Sequence, residues 1–253
     1  MFVEVNGQLL QTVSFGAGER TLVAHGGWVG NWELWQQPFE LLSPTWRCLS
    51  YDHRGSGESV TDPATLTPDA LVDDLFAVLD RHEVDRCVLA GESLGVVVVL
   101  EAARRQPERF EGLVLVDGGP GIVGDLVQHL IDGSRADFPA TVAAFVDQCL
   151  PEGAPEHLRK WGRDLLLRAE PEAAARLFEC YLDPPAPFVA LEEVTVPSLV
   201  IHGRDDRIVP FGIGEWMAAE LPDATLVPLD DAGHVPTVTR PQDVVAAIVD
   251  RFG

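Results

Sequence analysis

Short apolar runs alternate with longer stretches of helical spacing along the first half of the chain. Residues 2–5 and 10–14 read as strands around Asn6-Gly7. That dipeptide marks a hairpin, because a tight turn needs two residues that tolerate positive φ. Residues 21–24, 47–51, 87–90 and 113–116 are short apolar runs with the length of buried strands. Between them, 32–42, 68–81 and 96–105 read as helices. In 68–81, Leu71, Leu75, Val78 and Leu79 recur at helical spacing. Thr67-Pro68 supplies a cap and then a proline at the first helical position, where no amide is missed.

After Gly118 the rhythm changes. No strand pattern recurs until about Val196, and 122–131, 139–150, 155–169 and 172–181 read as helices. Pro184, Pro185 and Pro187 then break the pattern. Alternation returns with a strand at 198–202, a helix near 214–221, a strand at 225–229 and a last helix at 242–252. Strand–helix alternation predicts an α/β fold, here a mostly parallel eight-stranded sheet with helices on both faces. The expected division is a core of residues 1–117 and 197–253, with 118–196 inserted as a helical lid. Long insertions between core strands more often carry function than not.

Composition narrows the classes. Hydrophobic residues make up 46% and charged residues 23%, the balance of a folded globular chain. The longest strongly apolar run, around Val96 to Leu100, is far short of the ~20 residues a membrane span needs. The first ten residues carry no basic stretch before an apolar one, so a cytoplasmic location is expected. Cys48, Cys87, Cys149 and Cys180 are irregularly spaced, which favours buried reduced thiols over a disulfide framework or a metal site. The net charge of −22 repels phosphate backbones and anionic lipid, so neither nucleic acid nor membrane is an expected partner. A small-molecule substrate remains, and a homo-oligomer is compatible with the sequence.

The candidate chemistry sits at Gly91-Glu92-Ser93-Leu94-Gly95, a G-x-S-x-G pattern with an apolar strand before it and a helix after it. A serine on so sharp a turn needs small residues two before and two after. The turn presents its hydroxyl at a helix N-terminus, where backbone amides favour developing negative charge. Serine is a poor nucleophile at its free pKa and needs an adjacent base. Histidine suits, because it titrates near working pH. A carboxylate must then fix the histidine tautomer and stabilise the imidazolium.

Further motifs follow in order: His25-Gly26-Gly27, the loop from Asp52-His53-Arg54-Gly55 to Ser59, Gly203-Arg204-Asp205-Asp206, and Ala232-Gly233-His234-Val235-Pro236. With the serine turn they make the chain resemble the α/β-hydrolase family over nearly its whole length. The resemblance implies Ser93 as nucleophile, His234 as general base and Asp206 as the acid. Asp205 is the neighbouring alternative. Some relatives carry the acid after the strand that follows the nucleophile helix, here Asp117. The oxyanion hole is expected from the amide of Leu94 and, by resemblance, that of Gly27, with Trp28 the near alternative. The resemblance makes the 52–59 loop a structural brace. Glu92 reads as a packing or hydrogen-bonding residue. Trp28, Trp32, Phe138, Phe145 and Trp161 are the aromatic residues expected to line an apolar pocket.

Family relatives that open epoxides or remove halides use Asp at the elbow, so Ser93 points to acyl chemistry. The expected function is hydrolysis of a carboxylic ester or lactone, with no metal or cofactor in the reaction. The alternatives are hydrolysis of carbon–carbon bonds in diketone-like compounds and a cofactor-free perhydrolase of the haloperoxidase kind. An aminopeptidase acting on N-terminal proline is disfavoured by Trp28, where those enzymes carry proline. A relative that binds a ligand with little turnover is a further alternative.

Overall fold

The computed structural model describes residues 1–120, 125–151, 153–182 and 190–253. Eight strands form one sheet: β1 (Phe2–Val5), β2 (Gln8–Phe15), β3 (Arg20–His25), β4 (Trp46–Tyr51), β5 (Cys87–Glu92), β6 (Phe110–Val116), β7 (Ser198–Gly203) and β8 (Ala224–Leu229). Their order is β1-β2-β4-β3-β5-β6-β7-β8. β1 and β2 join the sheet antiparallel, and every pairing from β4 to β8 is parallel.

Both faces of the central strands are buried, which is why they read as continuous apolar runs. In β5, Val88 and Ala90 face one core while Cys87 and Leu89 face the other. The first core is closed by α1 (Gln36–Leu42), through Phe39 and Leu42, and by the C-terminal helix, through Val244, Ile248 and Phe252. The second is closed by α2 (Pro68–Arg81) and α3 (Gly95–Arg105). In α2, Leu71, Leu75, Val78 and Leu79 are buried, and the Thr67 hydroxyl caps the Ala70 amide at 3.1 Å.

Among the described residues between β6 and β7 are four α-helices: α4 (Asp125–Ala136), α5 (Phe138–Cys149), α6 (Glu156–Leu166) and α7 (Pro171–Leu182). α4 packs on α7 and on α5, and α5 packs on α6. Then follow α8 (Phe211–Glu220), the single turn α9 (Pro236–Thr239) and α10 (Pro241–Phe252).

The helix expected over 32–42 is two pieces. Residues Trp32–Trp35 form a 3₁₀ turn capped by the Asn31 side chain on the Glu33 amide, and α1 begins only at Gln36. Pro38 falls in the first turn of α1, the part of a helix that tolerates a missing amide donor. α4 runs on to Ala136, five residues past the expected end, with the Ser134 hydroxyl bonded back to the Leu130 carbonyl at 2.6 Å. The expected start of that helix at 122–124 lies outside the described residues, as do Pro184, Pro185, Pro187 and Phe188. Among the described residues no helix is long and apolar enough to cross a membrane. All four cysteines are buried.

Candidate active site

The carboxyl ends of β3, β5, β6 and β7 converge on one edge of the sheet, the edge where open α/β sheets bind ligands. Ser93 follows β5 directly. Its φ is 55°, in the left-handed region that costs an L-residue energy. The turn is so tight that a Cβ at Gly91 would stand 2.7 Å from the carbonyl oxygen of Gly95, so only glycine fits. The Ser93 amide is bonded to the Val116 carbonyl at 2.9 Å, which ties the elbow to the end of β6.

His234 comes from the loop before α9. Its Nε2 lies 2.9 Å from Ser93 Oγ, and its Nδ1 lies 2.8 Å from Asp206 Oδ2. Asp206, in the loop after β7, also accepts the amides of Ile208 at 2.8 Å and Val209 at 2.9 Å on its other oxygen. All three side chains are buried. Burial alone would raise the Asp206 pKa. The His234 charge and the hydrogen bonds from His202, His234 and the Val209 amide outweigh it and hold the carboxyl below the usual carboxylate range.

Asp117 stands behind this chain at the end of β6 and reaches no triad nitrogen. Its Oδ1 accepts the Gly203 amide at 2.8 Å, and its Oδ2 has no partner among the described residues. Burial, and then the charge of Asp206, raise its pKa well above the ordinary value. Asp205 is exposed. Ligand atoms of Asp117, Asp206 and His234 all lie within 4.8 Å of one another, close enough to hold a cation. A cation there would compete with the His234–Asp206 bond at 2.8 Å.

The loop after β3 lies against the serine. A Cβ at Gly27 would meet the Glu92 carbonyl oxygen at 2.6 Å and Ser93 Cβ at 2.7 Å, so the backbone approaches Ser93 as only glycine allows. Leu94 stands at the N-cap of α3, where the first amides have no acceptor within the helix. These are the two segments expected to supply the oxyanion hole. Trp28, with φ 27°, turns the chain after Gly27.

The 52–59 loop braces this edge. Asp52 accepts the amides of Trp32 and Glu58 at 3.1 and 2.9 Å. Arg54 makes a two-pronged, buried bond to Asp74 at 2.6 and 2.7 Å. His53 stacks on His25 with ring centres 4.9 Å apart, and His25 Nδ1 meets the Tyr51 hydroxyl at 2.8 Å.

A pocket with an empty volume of about 610 Å³, mouth included, opens over Ser93 and His234. Its far wall is built by the insertion, through Phe145, Val146, Leu158, Trp161, Leu165 and Leu166. Of the residues expected to line it, Trp28, Phe145 and Trp161 do. Trp32 does not: its ring packs on Phe15 at the sheet, with centres 5.8 Å apart. Phe138 stands behind Trp28, edge-on at 6.3 Å, and supports that wall without lining it. The expectations missed the aliphatic lining. Leu158, Trp161, Gly162, Leu165 and Leu166 fall at i, i+3, i+4, i+7 and i+8 of α6, one face of a helix whose other face is polar. That spacing is visible in the sequence and marks the face.

Glu92 lines the pocket beside Ser93. Its Oε1 accepts the Thr237 hydroxyl at 2.9 Å from α9. Its Oε2 is buried without a partner among the described residues. Burial pushes its pKa up to about 8, against the Thr237 bond.

The family model described as "Alpha/beta hydrolase family" matches residues 22–248. The chain is 30% identical over 245 residues to the pimeloyl-(acyl-carrier protein) methyl ester esterase of Nitrosomonas europaea, covering 91% of this chain and 94% of the other. Among solved structures, a hydrolase from Pseudomonas aeruginosa PA01 superposes with a TM-score of 0.90 at 28% identity, over 100% of this chain and 98% of that one. A thermophilic esterase from Thermogutta terrifontis superposes with a TM-score of 0.86 at 28% identity, over 98% and 95%. The chain belongs to the alpha/beta hydrolase family and is a hydrolase.

Proposed function

We propose that the chain hydrolyses a carboxylic ester or lactone of a small, partly apolar compound through an acyl-enzyme on Ser93. The observation that carries this reading is the unbroken chain from Ser93 Oγ through His234 to Asp206, at 2.9 and 2.8 Å, facing an apolar pocket.

In the proposed reaction His234 keeps its proton on Nδ1 and donates a hydrogen bond from it to the Asp206 carboxylate, which leaves the Nε2 lone pair free to take the Ser93 proton. Ser93 Oγ attacks the ester carbonyl. The amides of Leu94 and Gly27 hold the oxyanion as it forms. His234 then passes its proton to the leaving alcohol, water enters, and the same steps in reverse order of roles release the acid. The insertion of 118–196 serves as a lid, keeping bulk water from the acyl-enzyme and presenting apolar surface to the substrate. The esterase names of relatives in this family support ester cleavage as the chemistry.

The test is turnover of p-nitrophenyl esters of increasing acyl length by the wild type and by Ser93→Ala. The expected result is turnover lost by roughly 10³-fold or more in the variant, with a length optimum set by the pocket. Absence of turnover on every ester and lactone offered would overturn the reading.

A further inference from the structure

Among the described residues lining the pocket, Glu92 is the only carboxyl. It differs from Asp206, a few ångströms behind the histidine, in how its oxygens are met. Asp206 is met by two amides and His234, with His202 Nε2 at 3.5 Å. Glu92 receives one hydroxyl, from Thr237, on one oxygen. No ion pair involves it among the described residues, and its second oxygen is buried with no partner. A buried carboxylate with a single neutral donor is poorly solvated, so the acid keeps its proton. Oε1 is engaged as the acceptor, so the proton belongs on Oε2. The result is a buried O–H donor without an acceptor among the described residues, on a residue that lines an apolar pocket one position from the proposed nucleophile. Buried donors of this kind are costly unless something completes them.

We propose that the carboxylic acid of Glu92 is a specificity-determining donor, and that its Oε2–H bonds a second oxygen of the substrate, an ether, hydroxyl or carbonyl oxygen apart from the scissile group. The proposal rests on the ester reading above and deepens it: the preferred substrates are small apolar esters that carry one further hydrogen-bond acceptor. The simple alkyl ester of the same size leaves the donor unpaired. A site built to bond a polar group discriminates strongly against the analogue that lacks it.

Two matched pairs of esters test this. In the first the acceptor is on the acyl side: p-nitrophenyl methoxyacetate against p-nitrophenyl butyrate. In the second it is on the alcohol side: 2-methoxyethyl against butyl esters of one acid. The readout is the ratio of kcat/KM within each pair, divided by the ratio for hydroxide hydrolysis. The wild type is expected to favour the ether member in at least one pair. In Glu92→Leu that preference falls by about tenfold or more. In Glu92→Gln, whose amide also accepts from Thr237 and donates, it stays within about threefold.

The wild type alone provides a second reading. The groups around Glu92 are Ser93 and His234 on the pocket wall, Asp117 at the end of β6, Cys149 at the end of α5 and Asp206 behind His234. Both members of a pair share all of these, so their titration divides out of the ratio. The ether preference is expected to fall as pH rises through about 8, where Glu92 loses the proton it donates.

Ratios unchanged in Glu92→Leu, or flat in the wild type from pH 6.5 to 9.5, would leave Glu92 as a tether for α9 and overturn the proposal. Failure of the ester reading looks different: the wild type then turns over no member of either pair.

Discussion

The two walls of the pocket are built on opposite plans. On the sheet side, polar groups are held by short bonds from several directions. Ser93 is fixed by a strained turn, His234 by Asp206, and Asp206 by two amides. On the insertion side, Phe145, Val146, Leu158, Trp161 and Leu165 offer apolar surface. The insertion is tied to the sheet at particular points. The His234 amide bonds the Cys149 carbonyl at 3.0 Å, and Arg207 bonds the carbonyls of Asp147 and Leu150 at 3.1 and 2.8 Å. Trp28 reaches across to the Ala174 carbonyl at 2.9 Å. Hydrogen-bonded chemistry depends on tenths of an ångström, whereas apolar packing tolerates changes of shape at modest cost. One wall therefore sets what reaction occurs, and the other sets what fits.

Substitutions on the sheet wall should accordingly cost the most. Asp206→Asn is expected to lower kcat by roughly 10⁴-fold, because the tautomer of His234 is no longer fixed. Asp117→Asn, at a carboxyl with a raised pKa whose Oδ1 accepts the Gly203 amide, keeps that acceptor and is expected to cost less than about tenfold. Steady-state kinetics of the pair decide between the two acids; equal losses would erase the distinction.

On the insertion wall the same measurement gives a different pattern. Trp161→Ala is expected to lower kcat/KM for long-acyl esters by about tenfold to a hundredfold, chiefly through KM. p-Nitrophenyl acetate, with the shortest acyl chain of the series, should change by less than about threefold. A uniform loss on all esters would mean that α6 positions the chemistry as well.

The contrast also explains what could be read from the sequence. The strands were legible because both faces are buried, and Gly91 and Gly95 because the turn at Ser93 admits nothing larger. The resemblance implied Asp206 as the partner of His234, and the two are in contact at 2.8 Å, whereas the residues alone left Asp117 and Asp205 open. The insertion wall was legible only in part. An aromatic side chain announces burial but not its partner. Trp32 found Phe15 and Phe138 found Trp28, contacts set by tertiary packing. The bond from Glu92 to Thr237 joins residues far apart in sequence, so its existence was foreseeable and its partner was not.

The smallest expected effect is on stability, and it separates Glu92 from the ionised acid behind it. The folded pKa of Glu92 is raised from 4.5 to about 8, so the native state keeps a proton the unfolded chain has released. Stability from this group is therefore full below pH 4.5 and declines as pH rises to about 8. Relative to Glu92→Gln, the wild type should lose on the order of 5–10 °C in Tm between pH 5 and pH 8, with no further change above. Thermal melts of both proteins across that range check the sign. A constant gap would show that Glu92 is ionised throughout.

The division between the walls stands on Ser93 being the atom that is acylated. Intact-mass and peptide mass spectrometry after reaction with a fluorophosphonate is the most direct measurement of it. A single adduct on Ser93, absent from Ser93→Ala and slowed in Asp206→Asn far more than in Asp117→Asn, is the result this account predicts. An adduct on another residue, or undiminished ester turnover by Ser93→Ala, would contradict it.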